Sequence, residues 1–179
     1  WHMADTFNPP AKKIASRFFE NYEPDIIHSN NFMGMSSSVG GAISDTSATH
    51  IHSLHDYSLI CPKSNLLREL TASNGNTEIC DDPPLPCRLY SKAKSDIINK
   101  PDAIIAPSQH IINTHHKHGI FTEVDSERIF HGVQRIEDNI TMPTEDSILY
   151  AGKHLQAKGL DTLFEVIPAL EDTTFHFCG

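Results

Sequence analysis

Two short units carry residue types able to do chemistry. The first is His55-Asp56, which follows directly on an apolar, β-branched run. An imidazole next to a carboxylate suits general acid–base work, or the holding of a sugar or phosphate. Adjacent residues on a strand point to opposite sides, so both reach one cleft only where the strand has ended. The same dipeptide also suits a plainer role, a strand-end histidine with an aspartate capping a turn. The second unit is Tyr150-Ala151-Gly152-Lys153-His154-Leu155-Gln156-Ala157-Lys158-Gly159. Here a strand turns through Gly152 and a helix opens near Lys158 and Gly159. The free N–H groups of a helix start carry partial positive charge, which suits a phosphate, and Lys153 and Lys158 add full charges. The order is neither G-x-x-x-x-G-K-[ST] nor G-x-G-x-x-G. Read plainly, the unit is a pair of solvated lysines beside a turn.

Other reactive side chains form weaker patterns. His50, His52, Cys61, Cys80 and Cys87 lie near one another in sequence. Structural zinc needs four nitrogen or sulfur ligands in a tetrahedron, and this spacing matches no zinc motif. Loop bracing is the expected role, and no metal site is expected. His110, His115, His116 and His118 share one predicted helix. Only His115 and His118 share a face, so a solvated surface is expected there. Asn139-Ile140-Thr141 fits a glycosylation acceptor, but no basic-then-apolar leader opens the chain at Trp1-His2-Met3-Ala4-Asp5-Thr6. His2-Met3 reads as a cloning remnant.

Composition bounds these units. The 179 residues are enough for one domain or two small ones with a real core. Apolar residues make up 39% and charged residues 21%, an ordinary globular balance that excludes a disordered tail. A net charge of −9 argues against a nucleic-acid binder, while leaving room for a local basic pocket. No apolar run approaches the roughly 18 residues of a membrane span. The four cysteines contain no C-x-x-C pair and read as reduced, cytoplasmic thiols.

The elements that must position the reactive groups alternate between strand and helix. Helices are expected over 10–22, 39–44, 62–70, 89–99, 108–118 and 158–170, with Ser108 as an N-cap and Pro168 disturbing a last turn. Strands are expected over 25–29, 49–54, 103–106, 128–131, 147–151 and 173–178. Residues 73–87 read as loop because of Ser73-Asn74-Gly75-Asn76 and three prolines. Residues 134–146 read as a linker between domains. Short, continuously apolar strands alternating with helices imply an α/β architecture: a Rossmann-like parallel sheet with helices on both faces. In such sheets ligands sit beyond the carboxyl ends of the strands. That places Asn30, Asn31, His55, Asp56, Ser108, His131, Gly132, Gly152 and Lys153 at the working edge.

Five motifs then occur in a fixed order: Pro24-Asp25-Ile26-Ile27-His28, Leu54-His55-Asp56-Tyr57-Ser58-Leu59-Ile60-Cys61-Pro62, Ala103-Ile104-Ile105-Ala106-Pro107-Ser108, His131-Gly132-Val133, and Ile148-Leu149-Tyr150-Ala151-Gly152-Lys153 with Lys158-Gly159-Leu160-Asp161. The series resembles the family-four glycosyltransferases of GT-B fold, retaining enzymes that use nucleotide-diphosphate sugars, and it spans residues 10–179. The cysteine loop resembles an insertion found in part of that family. The resemblance implies an acceptor-side domain over 1–133 and, over 147–179, the first β-α-β unit of a donor-binding domain. It implies that Gly152, Lys153, Lys158 and Gly159 hold the donor diphosphate. It also implies that His55 lines the cleft near the transferred sugar, with Asp56 beside it to orient it. Lys153 stands where the family usually has arginine, losing the bidentate fork. His131 stands where it usually has asparagine.

The family's glycine-rich loop is expected before residue 10 and its glutamate pair beyond Gly179, so the chain resembles an internal fragment, expected to be inactive alone. The implied donor is a nucleotide sugar, with no required metal or other cofactor. The acceptor is a saccharide or a lipid-linked saccharide, and no nucleic acid is involved. The implied location is cytoplasmic, with peripheral contact at the inner face of the membrane as an option. A half-built second domain is expected to pack on the first, to dimerise or exchange strands with a second copy, or to be partly disordered. Two other readings stay open: a non-catalytic α/β module with a Cys/His metal loop, and a GT-B-like sugar-nucleotide epimerase.

Overall fold

The computed structural model describes residues 2–69, 77–134, 146–154 and 158–179. The chain divides into two compact units, Trp1–Gly132 and Val133–Gly179. The expected turn at Ser73-Asn74-Gly75-Asn76, most of the linker 134–146 and Asn139-Ile140-Thr141 lie outside the described residues.

In the first unit, helices α1 (His2–Thr6) and α2 (Pro9–Tyr22) precede strand β1 (Ile26–Ser29). Helix α3 (Ser38–Ser44), strand β2 (Thr49–Ser53), the short strands β3 (Leu67–Glu69) and β4 (Thr77–Ile79), and helix α4 (Leu85–Ile98) follow. Strand β5 (Ala103–Ala106), helix α5 (Gln109–Lys117) and strand β6 (Asp125–Arg128) complete it. The central sheet has the order β1-β2-β5-β6 and every pairing in it is parallel. The fold is therefore α/β with a parallel central sheet.

Each crossover between these four strands steps the same way across the sheet. Right-handed crossovers of that kind carry their helices to one face. Burial follows suit. His50 and His52 on β2, and Ile104 and Ala106 on β5, are buried, while their alternating neighbours Ile51 and Ile105 are only half-buried. The helical cover expected on both faces is thus present on one face among the described residues. Ile43, Ile98, Ile104, Ile112, Phe121 and Leu54 belong to the core beneath it.

Local chemistry explains most element ends. Asn8 caps α2 by accepting from Ala11 N at 3.1 Å, and Ser108 caps α5 by accepting from Ile111 N at 3.3 Å. Helix α4 starts at Leu85, earlier than expected, because Pro86 falls in its first turn, where no N–H is required. No helix covers residues 62–69. Ser64 and Leu66 adopt left-handed backbone, with φ of 60° and 54°, and Asn65 Oδ1 accepts from Leu67 N at 3.0 Å. The chain then enters β3, which pairs antiparallel with β4 and aligns Arg68 with Glu78 as an ion pair. Strand β6 lies three residues earlier than expected. Pairing of Ala106 with Arg128 sets its register, and its exposed Asp125-Ser126-Glu127-Arg128 joins as an edge through backbone alone. Ile129 N still donates to Ala106 O at 2.9 Å. Residues His2 to Thr6 form α1, whose Asp5 is buried.

The second unit contains strand β7 (Ser147–Ala151), helix α6 (Leu160–Val166) and strand β8 (Thr174–Cys178), with β7 and β8 parallel. A 3₁₀ turn, Ile167–Ala169, follows α6 and contains Pro168, so the proline ends the α-helix short of Leu170. Phe177 brings the layers together, its ring 5.9 Å from Tyr150 and 5.7 Å from Phe164.

Candidate functional site

Beyond the carboxyl ends of β1, β2, β5 and β6 lies a cleft of about 220 Å³. Its polar lining among the described residues is His28, Asn30, Ser53, His55 and His131. Each polar group arrives by a short route from a strand. Asn30 follows β1 directly. Leu54, 2% exposed, donates its N–H to Ile105 O at 2.8 Å and anchors the chain one residue before His55. His131 follows the bond from Ile129 to Ala106.

His55 Nε2 donates to Asn30 Oδ1 at 3.1 Å. An amide oxygen only accepts, so Nε2 carries a proton, and in the neutral ring Nδ1 keeps its lone pair. The imidazole of His131 lies over that of His55 with ring centroids 5.3 Å apart and planes 13° from parallel. Below them, His28 Nε2 and Ser53 Oγ share a hydrogen bond of 2.8 Å.

Asp56 does not meet the His55 ring through any hydrogen bond. Its Oδ2 accepts from Asn31 Nδ2 at 2.7 Å and its Oδ1 accepts from Ser58 N at 2.8 Å. It therefore clasps the loop after β1 to the turn after β2. The orienting partner of His55 is Asn30. Strand β2 has indeed ended before both residues, as a shared cleft requires, yet the two side chains take different partners.

A second polar network lies inside the sheet. Ser29 Oγ lies 2.7 Å from His50 Nε2 and 2.8 Å from His52 Nδ1, so its single hydroxyl hydrogen goes to one ring and its oxygen accepts from the other. His52 also stacks on Phe32 at 5.3 Å. Burial pushes the His52 imidazole down to about 3, helped by the neighbouring histidines. Burial also lowers His50, against an opposing pull from Asp102. His115, fully buried, donates Nδ1–H to Ile111 O at 2.9 Å, while its Nε2 has no partner. Burial lowers its imidazole below the usual value. The spacing Thr49-His50-Ile51-His52 places both histidines on one strand face, which is the signal in the sequence for this network.

Cys61, Cys80 and Cys87 are free and half-buried. Burial pushes the Cys87 thiol up, and the neighbouring Cys61 and Cys80 add to the rise. Among the described residues, no group of three His, Cys, Asp or Glu side chains is arranged to hold a metal ion.

In the second unit, Tyr150 OH donates to Lys153 O at 2.8 Å, and Gly152 N donates to Cys178 O at 2.8 Å. These bonds pin the turn that presents Lys153. Gly159, with φ of 75°, caps the start of α6 in left-handed conformation. Lys153 and Lys158 are exposed, and neither has a carboxylate partner among the described residues.

No family model matches the chain, and no solved structure matches it. The chain is similar to an uncharacterized 42.6 kDa protein in the cps region of Klebsiella pneumoniae, with 25% identity over 162 residues. The match covers 90% of this chain and 42% of that protein, so the chain spans less than half of its relative's length. No helix among the described residues is long and apolar enough to cross a membrane.

Proposed function

We propose that this chain is part of a retaining glycosyltransferase that moves a sugar from a nucleotide-diphosphate sugar to a saccharide or lipid-linked acceptor. The observation that carries this reading is the polar cleft at the carboxyl ends of a parallel sheet, where Asn30 holds the His55 ring through Nε2. A hydroxyl-bearing ring finds acceptors, donors and an aromatic face there. The cps-region relative supports a saccharide as the chemistry served. The order of motifs supports the finer assignment to a GT-B transferase.

In this reading the first unit takes the acceptor side and the second the donor side. Gly152 and Gly159 shape the approach to the diphosphate, and Lys153 and Lys158 oppose the charge that grows on it as the glycosidic bond breaks. His55 hydrogen-bonds the transferred sugar through Nδ1. Asp56 acts one step removed, fixing the two loops that carry Asn30 and His55. No metal and no nucleic acid takes part. Reaction at the inner face of a membrane fits a lipid-linked acceptor.

The test is transfer from a panel of nucleotide-diphosphate sugars by the longer protein that contains this chain, with the anomeric configuration of the product read by NMR. Retention is expected. His55→Ala lowers kcat/KM by about 100-fold, within the range for loss of a positioned polar catalyst. Lys153→Ala with Lys158→Ala lowers kcat by about 100-fold to 1000-fold, the scale for removal of transition-state charge stabilisation. The 179-residue chain alone shows little or no transfer. No release of nucleotide diphosphate from any donor, or full activity in the His55→Ala protein, would sink the reading.

A further inference from the structure

The cleft contains a feature to which the proposed reaction has assigned no role: two imidazoles lie face to face. His131 and His55 have centroids 5.3 Å apart and planes within 13° of parallel, an offset-stacked arrangement. His55 stands on an exposed loop position, just past the buried Leu54. A side chain there has free rotation about both χ angles unless something restricts it. One hydrogen bond, Nε2–H to Asn30 Oδ1 at 3.1 Å, fixes the far edge of the ring but permits rocking about that bond. A parallel ring on one face removes the rocking. The two contacts together fix position, plane and tautomer.

We propose that His131 is a positioning residue. It acts as an aromatic plate that, with Asn30, locks His55 as the Nε2–H tautomer and presents the Nδ1 lone pair to a substrate hydroxyl. The role needs a flat ring at residue 131 and does not need that ring to titrate. It also explains how the carboxyl end of the edge strand contributes to the cleft: the bond from Ile129 N to Ala106 O carries the chain past β6 and delivers His131 over His55. His28 is the other imidazole lining the cleft, and it is occupied by Ser53 Oγ at 2.8 Å, leaving the plate role to His131.

The inference rests on the assignment of His55 as the sugar-contacting residue, but its first test does not need activity. In the 179-residue chain labelled with ¹⁵N at histidine, the ring nitrogens of His55 at alkaline pH report the tautomer directly. The expected result is a single Nε2–H species in the unaltered protein and in His131→Phe. Asn30→Ala gives a mixture of tautomers. His131→Ala broadens the His55 ring signals while those of the buried His52 stay unchanged, which shows that the fold is intact. A tautomer mixture in the unaltered protein, or His55 signals indifferent to both Asn30→Ala and His131→Ala, overturns the proposal.

The second test uses sugar transfer by the longer protein. His131→Ala lowers kcat by about 10-fold to 100-fold with little change in donor KM, the scale of a misplaced reacting group, and His131→Phe restores most of it. Failure of Phe to restore activity overturns the plate role. Ring signals that behave as expected in a protein without transferase activity would retain the lock and remove only the glycosyltransferase reading.

Discussion

Lys94 is 1% exposed, and its ammonium donates to Asp5 Oδ2 at 2.8 Å. Asp5 in turn accepts from Gly34 N at 3.0 Å and, through its backbone oxygen, from Ser37 N at 2.8 Å. One buried ion pair thus joins α1, α4 and the loop after β1. Removing one partner leaves a stranded buried charge, so Lys94→Met is expected to lower stability by about 3 kcal/mol. Urea unfolding measures this, and the double variant Lys94→Met with Asp5→Asn recovers much of the loss. Equal destabilisation by the single and double variants would show that charge pairing is not the cause. The pair was not legible in the sequence. Its members lie 89 residues apart, and a lysine within a polar helix reads as solvated. His55 was legible because a polar residue directly after an apolar strand must lie at the sheet edge. Its true partner was not, because Asn30 comes from a different strand and only parallel pairing of β1 with β2 brings the two together.

At the scale of elements, most strands and most helices followed from periodicity and caps, whereas β3 and β4 fell where a helix and a loop were expected. Helix α3 shows why glycine can be an asset there. The sequence Ser38-Val39-Gly40-Gly41-Ala42 lowers helix propensity, yet a Cβ on Gly40 would lie 2.9 Å from Ile98 Cγ1 and 3.1 Å from Ile98 Cα. The missing side chain is what lets α3 approach α4. Gly40→Ala is therefore expected to destabilise the fold by about 1–2 kcal/mol, the usual range for overpacking less the gain in propensity. A thermal melt checks it, and an Ala variant more stable than the parent would refute the close approach. Ser108→Ala is expected to cost about 1 kcal/mol through loss of the α5 cap, measured by the same melt. The expected helix over 62–70 failed because apolar spacing outweighed turn chemistry in the reading. Ser64, Asn65 and Leu66 form a tight left-handed turn, and the residues after it pair with a strand ten positions away, which helical periodicity does not register.

The whole molecule should lose stability in mild acid. His50, His52 and His115 all have imidazoles lowered by burial in the folded chain. The unfolded chain therefore binds protons that the folded chain refuses. This contribution to stability is complete above the ordinary histidine value of about 6.5 and falls progressively below it. For His52 the fall continues down to about 3. Urea midpoints are expected to drop between about pH 7.5 and 5.5, a window around the histidine pKa. The drop shrinks in His52→Leu, and an unchanged midpoint would contradict the buried network. The alternation of β2 shows that some of the histidines are internal.

The one-directional winding of the sheet leaves its two borders unlike. At one border, β6 carries Asp125, Glu127 and Arg128, charges that repel an added strand. At the other, β1 offers Ile26-Ile27-His28-Ser29, which contains no Asp, Glu, Lys or Arg, with Ile26 61% exposed. Only one border is guarded, so self-association of the chain should grow from β1. Ile26→Lys is expected to reduce the association seen by light scattering as concentration rises, whereas Glu127→Gln leaves it almost unchanged. The sheet thus has a charged end and an apolar end, and the tendency to self-associate is expected to be set at the apolar one.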